Sequence, residues 1–172
     1  MNVLELMQPV KAFVLDVDGV LTDGSLILLD DGQQARTMHI RDGYALQLAI
    51  KKGYHVIVIS GAVSEAVKTR LNRLGVQEVF MGVKNKHALL QERMQALGLK
   101  PAQVLFMGDD MPDCSVMQLA GVPCCPADAV AEIIQQSVYI SPYNGGKGCV
   151  RDVIEKVLKL NNNWGDEEIA AR

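Results

Sequence analysis

An α/β fold, a Rossmann-like parallel sheet with helices on both faces, is predicted by three observations. Short apolar runs alternate along the chain with segments whose apolar residues recur at helical spacing. The runs are apolar almost throughout, as in HVIVI at His55–Ile59 and VLFM at Val104–Met107, the composition of strands buried on both faces. Polar residues capable of chemistry follow directly on the C-terminal ends of these runs, where an open parallel sheet builds its sites.

Taken in order, the first strand is placed at Ala12–Leu15 and runs into DVDGVLTDG. Leu21–Arg41 then breaks the alternation: LILLDDGQQARTMHI reads as two strands joined by an LDDGQQ turn, a β-hairpin insertion too small to be a lid domain. A cover for a site at the sheet edge must therefore come from elsewhere. Helix Gly43–Lys52, strand His55–Ile59 and a basic amphipathic helix Val63–Leu74 follow, then strand Glu78–Phe80 and helix Lys86–Leu97. Strand Val104–Met107, helix Cys114–Ala120, a short strand Val122–Cys124, helix Ala127–Gln136, strand Val138–Ile140 and helix Val150–Leu160 complete the pattern. Residues 1–160 are expected to form a single domain. Asn161–Arg172, with three asparagines, a glycine and mixed charge, reads as a loose tail.

Composition excludes several function classes. A chain of 172 residues that is 49% hydrophobic can bury a sizeable core, and its net charge of −3 offers no general attraction to nucleic acid or anionic membranes. No apolar run approaches the roughly 20 residues of a membrane span. The start MNVLELMQPVKAF lacks a signal-peptide pattern, so a cytoplasmic location is expected. Cys114, Cys124, Cys125 and Cys149 have no paired spacing and read as reduced packing residues.

The chemistry gathers at the strand ends. Strand one delivers Asp16 and Asp18, strand two Ser60 and Gly61, and the strand at Val104–Met107 delivers Gly108, Asp109, Asp110 and Asp113, while Lys86 opens a helix. Carboxylates brought this close repel unless a cation neutralises them, and hard oxygen ligands favour Mg2+, which commonly keeps positions for phosphate oxygens. Ser60, the amides of Gly61 and Ala62, and Lys86 suit the other oxygens of a phosphoryl group. Asp16 can attack phosphorus and Asp18, two residues on, can shuttle the proton. Singly, each part has an ordinary reading: DxD a solvated turn, Ser-Gly a helix cap, Lys86 a surface lysine, GDD a loop. Their ordered convergence on one edge favours phosphoryl chemistry. A phospho-accepting signalling domain uses similar groups but places its phosphorylated aspartate and acidic pair on separate strands, and a noncatalytic scaffold would keep these charges at a cost; both stay as alternatives to hydrolysis. GGKGCV, Gly145–Val150, lacks nucleotide-loop spacing and alone reads equally as a loop before the last helix.

The order DVDGVLTDG, ISG, Lys86, MGDDMPD resembles the haloacid dehalogenase superfamily of phosphatases over roughly Val10 to Leu160. HIRDGYALQLAIKKG, CPADAV and GGKGCVRDVIEKVL are similar, closer still, to its 3-deoxy-D-manno-octulosonate 8-phosphate phosphatases, which serve lipopolysaccharide precursor synthesis. That resemblance implies no cap domain and a homotetramer in which hairpins form a central barrel and neighbours cover each active site. It implies Asp16, Asp109 and the backbone carbonyl of Asp18 on magnesium, Asp16 as nucleophile and Asp18 as acid/base. Ser60, Gly61 and Lys86 would bind phosphate, with Asp110 and Asp113 supporting. His39, Ile40, Arg41, Asp42, Gly43 and Arg70 would contact the sugar phosphate, and glycine-rich tails of this kind reach toward a neighbouring active site. Two departures, Ala62 and Gln47 where relatives carry arginine, keep a nonulosonate 9-phosphate or another sugar phosphate open as substrate.

Overall fold

In a computed structural model that describes residues 2–165 together with Glu168 and Ile169, six parallel strands form one sheet. They are β1 (Ala12–Leu15), β4 (His55–Ile59), β5 (Glu78–Phe80), β6 (Val104–Met107), β7 (Val122–Cys125) and β8 (Tyr139–Ile140), in the order β5-β4-β1-β6-β7-β8. The chain builds outward from β1 to β5, then returns to lay β6 against the other side of β1. This reversal of strand order opens a crevice between the ends of β1 and β6, the place where such sheets bind ligands.

The helices are α1 (Val3–Met7), α2 (Ile40–Lys51), α3 (Glu65–Arg73), α4 (Lys86–Leu97), α5 (Cys114–Met117), α6 (Ala131–Gln136) and α7 (Cys149–Leu160). Because side chains alternate across a strand, β1 feeds two cores: Phe13 and Leu15 pack with α1, α2, α3 and α7, while Ala12 and Val14 pack with α4, α5 and α6. Both faces of the sheet are thus covered, which explains its continuously apolar strands. No helix among the described residues is long and apolar enough to cross a membrane.

Boundaries move where side chains or distant backbone compete for hydrogen bonds. His39 Nδ1 accepts from Arg41 N and starts α2 at Ile40, three residues before the expected Gly43. The helix expected from Ala127 begins only at Ala131, because Ala127 N donates to Tyr143 O and Val130 N to Asp109 O. α5 stops at Met117 rather than Ala120, and α1 was not expected at all; five residues are too few for a periodic signal. The antiparallel hairpin exists, but β2 (Ile27–Leu28) and β3 (Gln34–Ala35) are two residues each, pairing among the described residues only with one another. Of the tail expected to be loose, Asn161–Trp164 instead packs back. Asn163 N donates to Leu158 O, and Trp164 stacks edge-on against Tyr44 with Arg151 over its ring. Residues 166, 167 and 170–172 of that segment lie outside those described.

Candidate active site

β1 ends by pairing Asp16 N with Met107 O of β6, so the backbone ladder carries the first aspartate to the crevice. The chain then turns tightly through Val17–Leu21, with Gly19 at φ +85° and Thr22 N closing onto Val17 O. Thr22 Oγ1 accepts from Gly19 N and Gly24 N, fixing the far side of the turn. A cleft of about 300 Å³ opens here, lined by Asp16, Asp18, Gly19, Ser60, Gly61, Ala62, Lys86, Asp109 and Asp110 among others.

Lys86 is the cleft's cationic centre. Asn85 caps α4 by accepting from Ala88 N, which places Lys86 at the first helical position with its side chain buried. Its Nζ lies 3.0 Å from Asp16 Oδ1 and 2.8 Å from Asp113 Oδ1. Burial lowers its proton affinity, but the Asp16 and Asp113 charges outweigh that and leave the ammonium held more firmly than usual. Asp113, itself 1% exposed, uses its other oxygen to accept from Asp109 N at 3.1 Å. Asp113 thus joins the lysine to the loop that carries Asp109.

One lysine does not balance these acids. Burial, reinforced by Asp113, pushes Asp16 up to about 7; burial with Asp113 and Asp110 does the same to Asp109. Oxygens of Asp16, Asp109 and Asp113 lie within 4.8 Å of one another, and Asp109 Oδ1 is buried with no hydrogen-bond partner among the described residues. A carboxylate oxygen left unpaired beside two further carboxylates fits a hard divalent cation. With Asp113 committed to Lys86 and Asp109 N, the side-chain ligands this geometry favours are Asp16 and Asp109. The Asp18 carboxylate is not in the cluster; it faces Arg36 of the hairpin, Nε to Oδ1 at 2.7 Å and Nη2 to Oδ2 at 3.2 Å.

The phosphate-binding expectations converge at the same place. Ser60, 1% exposed, sits at the end of β4, where its Oγ accepts from Ala62 N; Gly61 lines the cleft with it. Asp110 also lines the cleft, exposed, and accepts from Met111 N.

The expected substrate residues are not brought together there. Arg41 lines a separate surface groove with Lys147 and Arg151, and Arg70 lines another with Arg36, Met38 and Ile40. His39 is the α2 cap, its proton affinity lowered by burial, Arg41 and Lys147. Asp42 is 2% exposed and accepts from Arg151 N through Oδ1, capping the first turn of α7 from α2. Gly43 is likewise buried inside α2.

The glycine-rich segment lies against this chain's own Val17–Leu21 turn. Gly145 N donates to Asp128 Oδ1, Gly146 N donates to Val20 O, and Cys149 Sγ to Val20 O. A Cβ on Gly145 would come within 1.9 Å of Gly19 O. Sequence reasoning missed this strap, Asp128 and Arg36. The glycines were a visible signal for close backbone approach, whereas Arg36 sits in a polar hairpin run that offers none.

Comparison with known proteins agrees with this geometry. The haloacid dehalogenase-like hydrolase family matches residues 76–154. The 3-deoxy-D-manno-octulosonate 8-phosphate phosphatase KdsC of Escherichia coli K12 is 31% identical over 157 residues, covering 91% of this chain and 84% of the relative. The crystal structure of the phosphatase of that name from Yersinia pestis superposes with a TM-score of 0.91 at 28% identity, covering 94% of this chain and 87% of the other. The one from Moraxella catarrhalis, in complex with magnesium ion, phosphate ion and KDO, superposes with a TM-score of 0.90 at 30% identity, covering 94% and 92%. With its acid cluster at the β1/β6 crevice, its strand order and this likeness along nearly the whole length, the chain belongs to the haloacid dehalogenase-like hydrolases.

Proposed function

We propose that this phosphomonoesterase hydrolyses 3-deoxy-D-manno-octulosonate 8-phosphate in a magnesium-dependent reaction, releasing the free sugar acid and phosphate for lipopolysaccharide precursor synthesis in the cytoplasm. The observation that carries the reading is Lys86 bridging Asp16 and Asp113 beside the unpaired oxygen of Asp109, all at the crevice that Ser60 also lines. Asp16, Asp109 and the backbone carbonyl of Asp18 would hold the ion. When bound, it neutralises the acid cluster and draws charge from a phosphoryl oxygen.

Asp16 Oδ1 is occupied by Val17 N at 2.7 Å and Lys86, which orients Oδ2 as the attacking oxygen. Oδ2 forms a bond to phosphorus as the bond from phosphorus to the sugar oxygen breaks. Asp18 gives that departing oxygen its proton, leaving a sugar alcohol and an aspartyl-phosphate on Asp16. Water then attacks phosphorus, its proton passes to the Asp18 carboxylate, and the bond to Asp16 breaks to release phosphate. Ser60, the amide of Gly61 and Lys86 bind the phosphoryl oxygens throughout and stabilise their charge.

The cleft is open on one chain, and the groups expected to read the sugar line other grooves. A homotetramer supports both needs. Leu26, Ile27, Leu28 and Leu29 of the hairpin are all exposed, Leu28 by 73%, an apolar ribbon suited to pairing with copies of itself. Ala62 favours a second reading, a nonulosonate 9-phosphate or another sugar phosphate, because Lys86 is the only cationic side chain among the described residues that line the cleft.

Phosphate release with magnesium from the eight-carbon substrate, a nonulosonate 9-phosphate and simple sugar phosphates tests the proposal. Preference for the first supports it, and preference for another moves the pathway while retaining the chemistry. Near-normal turnover by Asp16→Asn would refute the aspartyl-phosphate mechanism.

A further inference from the structure

The two reacting aspartates are held by different cations from different parts of the fold. Lys86, at the start of α4, grips Asp16. Asp18 is gripped from the hairpin by Arg36, the residue directly after β3. The contact has the fork geometry in which two parallel N–H groups meet both oxygens of a carboxylate, which fixes the carboxylate plane as well as its position. The Arg36 side chain is 5% exposed while that of Asp18 is 35% exposed, so the guanidinium lies behind the carboxylate and the carboxylate faces the cleft. Thr22 Oγ1, 3.5 Å from Asp18 Oδ1, closes the remaining side.

Arg36 lines a neighbouring groove and not the cleft, so the ion pair forms part of the wall between the two. A cation in that place does not meet the phosphoryl group; it acts on the residue that does. We propose that Arg36 is a positioning residue for Asp18, through which the hairpin aims the acid/base carboxylate at the bridging oxygen of the phosphate ester. The hairpin then serves catalysis from within its own subunit. Its two-residue strands and exposed apolar face leave it dependent on surrounding contacts for its own placement, so whatever orders the hairpin also orders Asp18.

The inference rests on the proposed phosphatase reaction, and a double-mutant cycle separates the two. The kcat and KM of wild type, Arg36→Ala, Arg36→Lys, Asp18→Asn and the Arg36→Ala/Asp18→Asn pair are measured with the sugar phosphates above and with p-nitrophenyl phosphate, in saturating magnesium. Misaiming a catalytic group by about 1 Å costs about 100-fold, so Arg36→Ala is expected to lower kcat by about 10- to 100-fold. KM should move by less than about threefold, because ground-state binding is untouched. Lysine, a point charge without the fork, should restore only part of the rate. In the Asp18→Asn background, Arg36→Ala should cost less than about twofold, since two residues that act as a unit are not additive.

The same loss in both backgrounds would overturn the inference, as would a raised KM at unchanged kcat, which marks a direct substrate contact. An Arg36→Ala enzyme as fast as wild type or faster would overturn it too, by showing the contact idle or obstructive. Thermal melting verifies folding; if Arg36→Ala does not fold, Arg36→Gln takes its place in the cycle. A wild-type chain that releases phosphate from none of the substrates defeats the phosphatase reading itself. Turnover lost in Asp18→Asn but intact in Arg36→Ala defeats the positioning role alone.

Discussion

Without its metal, the acid cluster should make the protein less stable as pH rises. The test replaces Asp16 by Asn, a neutral side chain of nearly the same shape, and follows both proteins in chelator between about pH 5 and 7. Burial, with Asp113 beside it, raises Asp16 from 3.8 to about 7 in the folded chain. The folded state therefore holds a proton that the unfolded state releases. The stability this confers is complete below about pH 4 and lost as pH climbs through about 7. Between about pH 5 and 7, at about 1.4 kcal/mol per unit and half that slope at the folded-state pKa itself, wild type should lose about 2 kcal/mol relative to Asp16→Asn. For a chain of this size that is about 4–8 °C in melting temperature. Comparing the two proteins cancels the titration of groups that do not interact with Asp16, such as Asp42. Saturating magnesium should reverse the order near pH 7, because an ion held by ionised carboxylates stabilises only the protein that retains them. Scanning calorimetry reads both arms. A difference in melting temperature between the two proteins that stays constant across pH in chelator would refute the electrostatic reasoning.

Further outcomes follow from close approaches in the same region. In Gly19→Ala the new Cβ would meet Asp109 Oδ2 at 1.9 Å, in a backbone at φ +85° that alone costs about 1–2 kcal/mol; titration calorimetry should show magnesium affinity falling together with kcat. Gly145→Ala, with its Cβ within 1.9 Å of Gly19 O, should cost about 1–3 kcal/mol by overpacking and lower kcat through the Val17–Leu21 turn, measured by denaturant unfolding and phosphate release. Asp42→Ala removes the cap on α7 and should cost about 1 kcal/mol, while Asp42→Asn keeps an acceptor for Arg151 N and should cost less. Burial raises Asp42 to about 6, so wild type should lose stability relative to Asp42→Asn as pH rises through 6, with or without magnesium.

Much of the candidate active site was legible because its parts are local and ordered. DVDG, ISG, Lys86 and GDDMPD each follow a strand or open a helix, and a parallel sheet brings such ends to one edge. Asp113, expected as a supporting residue, proved to join Lys86 to Asp109. The segment His39–Gly43 was legible only as a motif. Its spacing could not separate Arg41, which reaches a surface groove, from Asp42, which turns inward to hold α7. Helix ends were misplaced where a donor found a distant acceptor, as Val130 N did in Asp109 O.

The sequence by itself determined the alternation of strands and helices, the gathering of Asp16, Asp18, Ser60, Lys86 and Asp109 at one sheet edge, and the hairpin. Hydrophobic period and turn chemistry act over a few residues and leave their mark in composition. Only the tertiary structure decided which cation serves which aspartate, that the Gly145–Gly148 strap lies against the Val17–Leu21 turn of its own chain, and that Asn161–Trp164 packs down. These contacts join residues from about 20 to more than 100 positions apart, and their strength depends on distance, burial and orientation, quantities that arise only once the chain has closed on itself.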